Sequence, residues 1–341
     1  MGVGIFNFWK YDVLYFALAA VCAVIFVNGW TDAPNAVAAC VGARSLSPRR
    51  AVALAAIFNL LGSLSVPLLG MRVARSVYMI ADFGEGAGGL AALCAGMWAV
   101  TIWAVAAWYF GIPTSESHAL LAAVSGAAVA RGGIASFNPS GWGGVALGLA
   151  LSTLPAVLIA KLVYFCIVRL FRAADRRAVL PGFIVFQRAG AAAGAFLHGL
   201  QDGQKFMGVI MLTLALSRGG DAADSFRLPW GVILLCGCIM AAGTAVGGGR
   251  IIKKVAFGMV SLDPPRGAAA DVASAVCLVG CTTLGLPVST THARTCAVMG
   301  AGRSGANRGA VRDMIAAWLL TFPACGVLGY ALGKIFLYFG G

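Results

Sequence analysis

The sequence predicts an all-α polytopic membrane protein made of inverted-topology repeats, with broken helices and two re-entrant helical hairpins. Hydrophobic residues make up 60% of the 341 residues and charged residues only 11%. Apolar runs of about twenty residues, the length that crosses a bilayer, recur from end to end. Two short polar motifs also occur twice, in the same order. Paired interruptions of apolar segments at matching positions are typical of transport proteins built from two related halves.

The net charge of +13 does not indicate a nucleic-acid partner. The basic residues lie between the apolar runs, and no basic helix or aromatic-interleaved patch accompanies them, so the charge is a topology signal. The ten cysteines show no zinc or secreted-protein spacing. They are expected to pack between helices as small apolar side chains, and no metal or organic cofactor is expected.

Ten apolar segments are predicted, five in each half of the chain. Those of the first half are 11–43 (interrupted near 28–35), 49–70, 87–110, 113–131 and 142–171. Those of the second half are 183–217 (interrupted near 198–205), 228–249, 268–285, 288–301 and 309–338. The predicted units are residues 1–168 as the first repeat, 169–187 as a cytoplasmic linker and 188–341 as the second, inverted repeat.

The first duplicated motif places a carboxylate inside an apolar segment. Residues 26–32 (FVNGWTD) reappear as 196–202 (FLHGLQD), so that Asp32 matches Asp202. A charged side chain at the bilayer centre costs about 2.5–3.5 kcal/mol on insertion scales. The matched pair therefore predicts binding of a cation or proton, completed by unwound backbone carbonyls. The alternative is an ion pair with Lys205 or Lys161 that only holds helices together.

The second duplicated motif predicts the hairpin tips. Residues 111–118 (GIPTSESH) reappear as 285–292 (GLPVSTTH). Each tip is expected in the protein interior, because lipid does not tolerate irregular backbone. The hydroxyls of Thr114, Ser115, Ser289 and Thr290 lie at helix starts, where free amides and the helix dipole favour an oxyanion. Ordinary N-capping is the alternative.

All three histidines fall inside these motifs. His118 and His292 are either a proton relay or buried rings bonded to carbonyls. Glu116 occupies the position of a hydroxyl in the second copy and is a candidate proton carrier. His198 lies one helical turn before Asp202, a spacing that suits a transition metal, but the matched position holds Asn28 and no further histidine or cysteine is near.

Basic residues predict the orientation. With three full crossings in each half, the second half must be inverted. A cytoplasmic linker then places fifteen basic residues inside and seven outside, which predicts both termini outside. The inside set is Arg44, Arg49, Arg50, Arg169, Arg172, Arg176, Arg177, Arg188, Arg250, Lys253, Lys254, Arg266, Arg303, Arg308 and Arg312.

Residues 28–36, with Asn28-Gly29-x-x-Asp32-x-x-Asn35-Ala36, resemble the duplicated signature of the PiT family of inorganic phosphate transporters. Residues 287–292 (PVSTTH) are similar to its hairpin signature, and the likeness covers nearly the whole chain. The resemblance implies a symporter, not an enzyme, that imports inorganic phosphate by alternating access across a bacterial plasma membrane. It implies Na⁺ or H⁺ as coupling ion, membrane lipid as surroundings and a homodimer as assembly.

The resemblance implies that the anion and cation sites are lined by Asp32, Asn35, Ser115, Asp202, Ser289 and Thr290, and the motifs themselves add the other candidates. The predicted phosphate ligands are Asn35, Thr114, Ser115, Lys205, Ser289 and Thr290. The predicted coupling-ion or proton ligands are Asn28, Asp32, Glu116, His198 and Asp202, with His118 and His292 as the relay.

Lys205 departs most from the family pattern, which has asparagine there. We predict that its ammonium pairs with Asp202 and replaces a bound sodium ion. Three other functions stay open: a sulfate permease, a divalent-metal carrier and an intramembrane hydrolase using serine, histidine and aspartate. The symmetric pairing of the hydroxyls favours a binding site over a nucleophile.

Overall fold

The computed structural model describes residues 2–110, 112, 114–218, 228–247, 249, 252–253, 261–302 and 308–340. Its helices are α1 (Gly2–Thr31), α2 (Asn35–Gly42), α3 (Pro48–Leu64), α4 (Val66–Leu69), α5 (Arg72–Tyr78), α6 (Ala87–Phe110), α7 (Glu116–Gly132), α8 (Pro139–Leu170), α9 (Arg176–Arg218), α10 (Trp230–Val246), α11 (Pro264–Thr283), α12 (Thr290–Ala301) and α13 (Arg308–Gly340). A 3₁₀ turn, Ile134–Ser136, precedes α8. No strand occurs within the described ranges, and the all-α class is confirmed.

Five helical stretches of the described chain are long and apolar enough to cross a membrane. They are Val13–Gly42, Ala87–Phe110, Pro139–Leu170, Arg176–Arg218 and Val311–Phe339, and the shorter Trp230–Val246 is also apolar. Their outward faces carry many exposed leucine, valine and phenylalanine side chains. Such faces are stable only against lipid, which agrees with a polytopic membrane protein.

The helix break predicted near 28–35 occurs. α1 and α2 are separated by residues 32–34. Pro34 has no amide hydrogen to donate to the carbonyl four residues earlier, so the helix cannot continue through it. The backbone N–H of Asn35 donates instead to the Asp32 carbonyl, three residues earlier, at 3.0 Å.

The break predicted near 198–205 does not occur, and that prediction is wrong. α9 is continuous for 43 residues, from Arg176 to Arg218. Gln204 stands where the first copy has Pro34, and it keeps the amide hydrogen that a helix needs. The unwound carbonyls expected beside Asp202 are therefore missing from this described helix.

The predicted linker is also mostly helical. Only residues 171–175 separate α8 from α9. Gln187, placed in the linker, is fully buried and donates to the Ala39 carbonyl at 3.2 Å. Gly111 and Pro113 of the first hairpin tip lie outside the described residues, as do the basic residues Arg227, Arg250, Lys254 and Arg303.

Contacts between helices occur in matched pairs. The contact of α1 with α10 is matched by the contact of α9 with α3. The contacts of α13 with α6 and α7 are matched by those of α8 with α11 and α12. Gly29 faces the Met240 carbonyl and Gly199 faces the Asn59 carbonyl, each so closely that a Cβ would overlap the oxygen. We propose a duplication as the origin of the two halves, α1–α8 and α9–α13, which these matched contacts support.

Candidate functional site

The four motif segments meet in the interior. The break between α1 and α2, the middle of α9 and the first turns of α7 and α12 bring together charged and amide side chains. Each is at most 4% exposed: Asn28, Asp32, Asn35, Glu116, His198, Asp202 and Lys205. Lys161, the other predicted ion-pair partner, is exposed on α8.

Asp32 is tied to the hairpin of the opposite half. The Asn35 amide donates to Asp32 Oδ1 at 3.0 Å and to Thr291 Oγ1 at 2.9 Å. Thr291 Oγ1 in turn donates to Asp32 Oδ1. The helix break of the first half is thus bonded directly to the start of α12.

Asp202 has the mirrored arrangement. Lys205 Nζ lies 2.5 Å from Asp202 Oδ1, 2.6 Å from Ser117 Oγ and 2.5 Å from the Val288 carbonyl. An ammonium has three N–H donors, and each has an acceptor here. The predicted pairing of Lys205 with Asp202 is confirmed.

His198 presents a ring nitrogen to Asp202. Its Nδ1 lies 2.9 Å from Asn59 Oδ1, while the Asn59 amide donates to Thr244 Oγ1 at 3.0 Å. Asn59 therefore accepts, and Nδ1 carries the hydrogen. Nε2 lies 3.4 Å from Asp202 Oδ2, which also accepts from the Asn28 amide at 3.3 Å. An imidazole lone pair facing a carboxylate is favourable only when a proton or cation lies between them.

Several buried acceptors around this point have no hydrogen-bond partner among the described residues. They are Asn28 Oδ1, Asp32 Oδ2, Asn35 Oδ1 and Thr290 Oγ1. Ligating atoms of Asp32, His198 and Asp202 all lie within 4.8 Å of one another. Carboxylate, amide and hydroxyl oxygens are ligands for hard cations, so the cluster can hold a cation.

Glu116 contacts the first half's helix break. The Thr31 hydroxyl lies 2.8 Å from the Val27 carbonyl and also contacts Glu116 Oε1. A hydroxyl has one hydrogen, so if Thr31 donates it to the carbonyl, the carboxyl must supply the hydrogen of the second contact. This geometry fits a Glu116 carboxyl that carries a proton.

Two helix starts converge beside the cluster. Ser115 Oγ accepts from the His118 amide and Ser289 Oγ from the His292 amide, at 3.2 Å each. Both serines are N-caps, which leaves the earlier amides of each first turn without an intrahelical partner. The rings of His118 and His292 lie 4.5 Å apart, so the two starts are adjacent. Paired helix N-termini can bind an anion.

The relay proposed for His118 and His292 stays a prediction. Both rings are buried. The ring centroid of His118 lies 4.5 Å from that of Phe322, on which it stacks, and the ring centroid of His292 lies 3.8 Å from that of Trp318. None of their four ring nitrogens has a hydrogen-bond partner within the described ranges. The carbonyl partners considered from sequence are therefore not found there.

Thr114 is buried at its tip, but its side chain makes no hydrogen bond to the cluster in the part of the chain described. Sequence reasoning missed Asn59, which orients His198, and the acceptor Ser117. An asparagine in the apolar middle of α3 is the signal that could have found the first. The match between Ser117 and Thr291 could have found the second.

Membrane-length helices around a buried cluster of charges, shared between two matched halves, define an integral membrane transport protein. The sequence model of the Phosphate transporter family matches residues 28–184 and 171–329. The chain belongs to that family. Its members transport phosphate and are not enzymes, so the hydrolase alternative is set aside and the sulfate alternative is not favoured.

Individual relatives agree with this family. The chain is 32% identical over 318 residues to a Bacillus subtilis protein named "Probable low-affinity inorganic phosphate transporter", covering 92% of this chain and 94% of that one. A Rhizobium meliloti protein of the same name is 33% identical over 89% of this chain and 90% of its own. A solved structure titled "The sodium-dependent phosphate transporter" shares the fold, with a TM-score of 0.86 and 19% identity over 95% of this chain and 98% of that one.

Proposed function

We propose that the chain imports inorganic phosphate by cation-coupled symport, with alternating access around the cluster at the meeting point of its two halves. The observation that carries the proposal is the direct bonding of each half's central helix to the other half's hairpin, through Asn35 with Thr291 and Lys205 with Ser117. A site shared in this way changes when the halves move relative to each other.

The phosphate position is proposed at the two convergent helix starts. The first-turn amides that follow Ser115 and Ser289 belong to two adjacent helix starts, and Thr290 Oγ1 is buried without a partner in the described chain. Amides and hydroxyls donate to an oxyanion, and the Lys205 ammonium adds a positive charge nearby.

The cation position is proposed at Asp32, with Asn28, His198 and Asp202 completing it. Sodium suits its oxygen atoms, and the structural relative is titled sodium-dependent. Glu116 is the proposed carrier if the coupling ion is a proton, because its carboxyl is buried and contacts the Thr31 hydroxyl next to the helix break. Both termini are proposed outside a bacterial plasma membrane, with homodimerisation as a further expectation.

Uptake of labelled phosphate into proteoliposomes tests the proposal. Inward sodium and proton gradients are imposed separately, each with and without excess sulfate. We expect uptake that one of the gradients accelerates and sulfate does not suppress. Sulfate uptake that phosphate fails to inhibit would refute the phosphate assignment.

Asp32→Asn is the matched variant, because the amide keeps the side chain's shape and removes the charge that holds the cation. It should fold and lose the gradient dependence of uptake. Lys161→Asn, on the exposed face of α8, should behave as the wild type. Unchanged coupling in Asp32→Asn would make Asp32 structural.

A further inference from the structure

The two halves treat their matched aspartates differently. Beside Asp32 the donor that reaches across to the opposite hairpin is the neutral amide of Asn35. Beside Asp202 the donor at the matched position is the ammonium of Lys205, which reaches Ser117, the residue matched to Thr291. The geometry is repeated, but one of the two donors carries a permanent positive charge.

We propose that Lys205 is a tethered cation that occupies one of two equivalent cation positions, leaving the position at Asp32 as the one that exchanges its ion. This rests on the proposed function and deepens it. The transport cycle would move one mobile cation fewer per phosphate than two equivalent halves would bind.

The backbone supports this assignment. Around Asp32 the helix is interrupted. Pro34 has no amide hydrogen, and the backbone N–H of Asn35 donates to the Asp32 carbonyl instead of continuing the helix. The carbonyls of Trp30 and Thr31 thereby lose the donors that a continuous helix would supply, and they can coordinate an ion. Around Asp202, α9 is continuous, and its carbonyls are used in the helix. An ammonium needs no backbone shell from its own helix, and Lys205 takes its one carbonyl from Val288, in the hairpin of its own half.

The unpartnered atoms are divided in the same way. Lys205 Nζ has three acceptors for its three hydrogens and is 1% exposed. At the proposed Asp32 position, Asp32 Oδ2, Asn35 Oδ1 and Asn28 Oδ1 are buried acceptors without partners in the described chain, although the Asn28 amide also donates to Asp202. Leaving a buried acceptor without a hydrogen bond is unfavourable, so these oxygens favour a cation, whereas the three oxygens that contact the Lys205 ammonium are already satisfied.

Sodium binding to purified protein in detergent tests the proposal without requiring transport. Labelled sodium is titrated onto the wild type and Lys205→Asn, with choline keeping the ionic strength constant. Lys205→Asn should bind one sodium per chain more than the wild type and gain sodium-dependent thermal stability. In proteoliposomes it should carry one more charge per phosphate, and its sodium Hill coefficient should rise by about 1.

Two variants sharpen the result. Asn35→Lys places a second tethered ammonium at the matched position and should lose the sodium that the wild type binds. Lys161→Asn removes an exposed lysine and should leave sodium binding unchanged. If Lys205→Asn does not fold, Lys205→Gln, with a longer polar side chain, takes its place and should gain the same sodium.

A folded Lys205 variant that binds no more sodium than the wild type would overturn the proposal. Failure of both Lys205 variants to fold in high sodium would also overturn it, because sodium should replace the ammonium. Absence of phosphate uptake by the wild type would instead count against the proposed function, since the sodium titration does not depend on phosphate.

Discussion

Replacing each central aspartate by asparagine should have unequal effects on stability. Asp202→Asn leaves the ammonium of Lys205, 1% exposed, without its carboxylate at 2.5 Å. Removing one partner of a buried ion pair costs about 3–5 kcal/mol, because the other charge remains buried. Asp32 has no lysine or arginine within ion-pair distance among the described residues, so Asp32→Asn leaves no cation unpaired.

The expected shift in melting temperature follows from chain length. With an unfolding entropy of about 2.1 cal/mol/K per residue, the 341-residue chain has a slope of about 0.7 kcal/mol/K. The loss at Asp202 then corresponds to a fall of about 4–7 °C, whereas Asp32→Asn should change the melting temperature by less than about 2 °C. Fluorescence-monitored melting of the detergent-purified variants at one scan rate measures both.

A double variant isolates the ion pair. Asp202→Asn combined with Lys205→Met removes both charges, and neutral pairs of similar volume are often as stable as the buried pair they replace. Its melting temperature should return to within about 2 °C of the wild type. Equal destabilisation by Asp32→Asn and Asp202→Asn, or no recovery in the double variant, would refute the reasoning.

Three further predictions test other parts of the site. Ser289→Ala should raise the phosphate KM about 10-fold or more in uptake assays, because a hydrogen bond to an anion contributes about 1.5–3 kcal/mol; an unchanged KM would leave Ser289 a plain helix cap. Gly199→Ala should destabilise the protein by about 1–3 kcal/mol in the same melting assay, because the new Cβ would overlap the Asn59 carbonyl of α3. Gly143→Ala has open space around the new Cβ and should leave the melting temperature unchanged. Glu116→Gln keeps the contact with α1 but carries no exchangeable proton, so phosphate uptake at fixed sodium should lose its pH dependence; a wild-type pH profile would exclude Glu116 as the proton carrier.

The sequence predicted the meeting of the four motifs because each is a polar interruption that lipid cannot accommodate, and the interior between two halves is where such residues are stable. The first break follows from Pro34 alone. The second was predicted only by analogy between the repeats, and it fails because Gln204 does not share proline's missing amide hydrogen. Repeat symmetry predicts positions in the chain, whereas local backbone chemistry decides the conformation there.

Other parts of the site were beyond single-sequence reasoning. Asn59 could be singled out as a polar residue within α3, but its partner His198 could not be inferred, because it lies 139 residues away in the chain. The pairing of Lys205 with Asp202 was predictable because residues three apart lie on one helical face. Its bonds to Ser117 and Val288 were not, because they depend on how the hairpins of both halves pack around the ammonium.

Two of the departures from repeat symmetry bring ionisable side chains to the site. Lys205 stands where the first half has Asn35, and Glu116 stands where the second half has Thr290. They meet at one hairpin tip, because Ser117, which follows Glu116, accepts a hydrogen bond from Lys205. When the Lys205 ammonium replaces a bound cation and the Glu116 carboxyl carries a proton, the formal charge buried at the tip does not change. A duplicated site can therefore exchange a bound cation for a covalent one and gain a proton-carrying group in the same step, which would change the coupling ion while the phosphate position between the helix starts is kept.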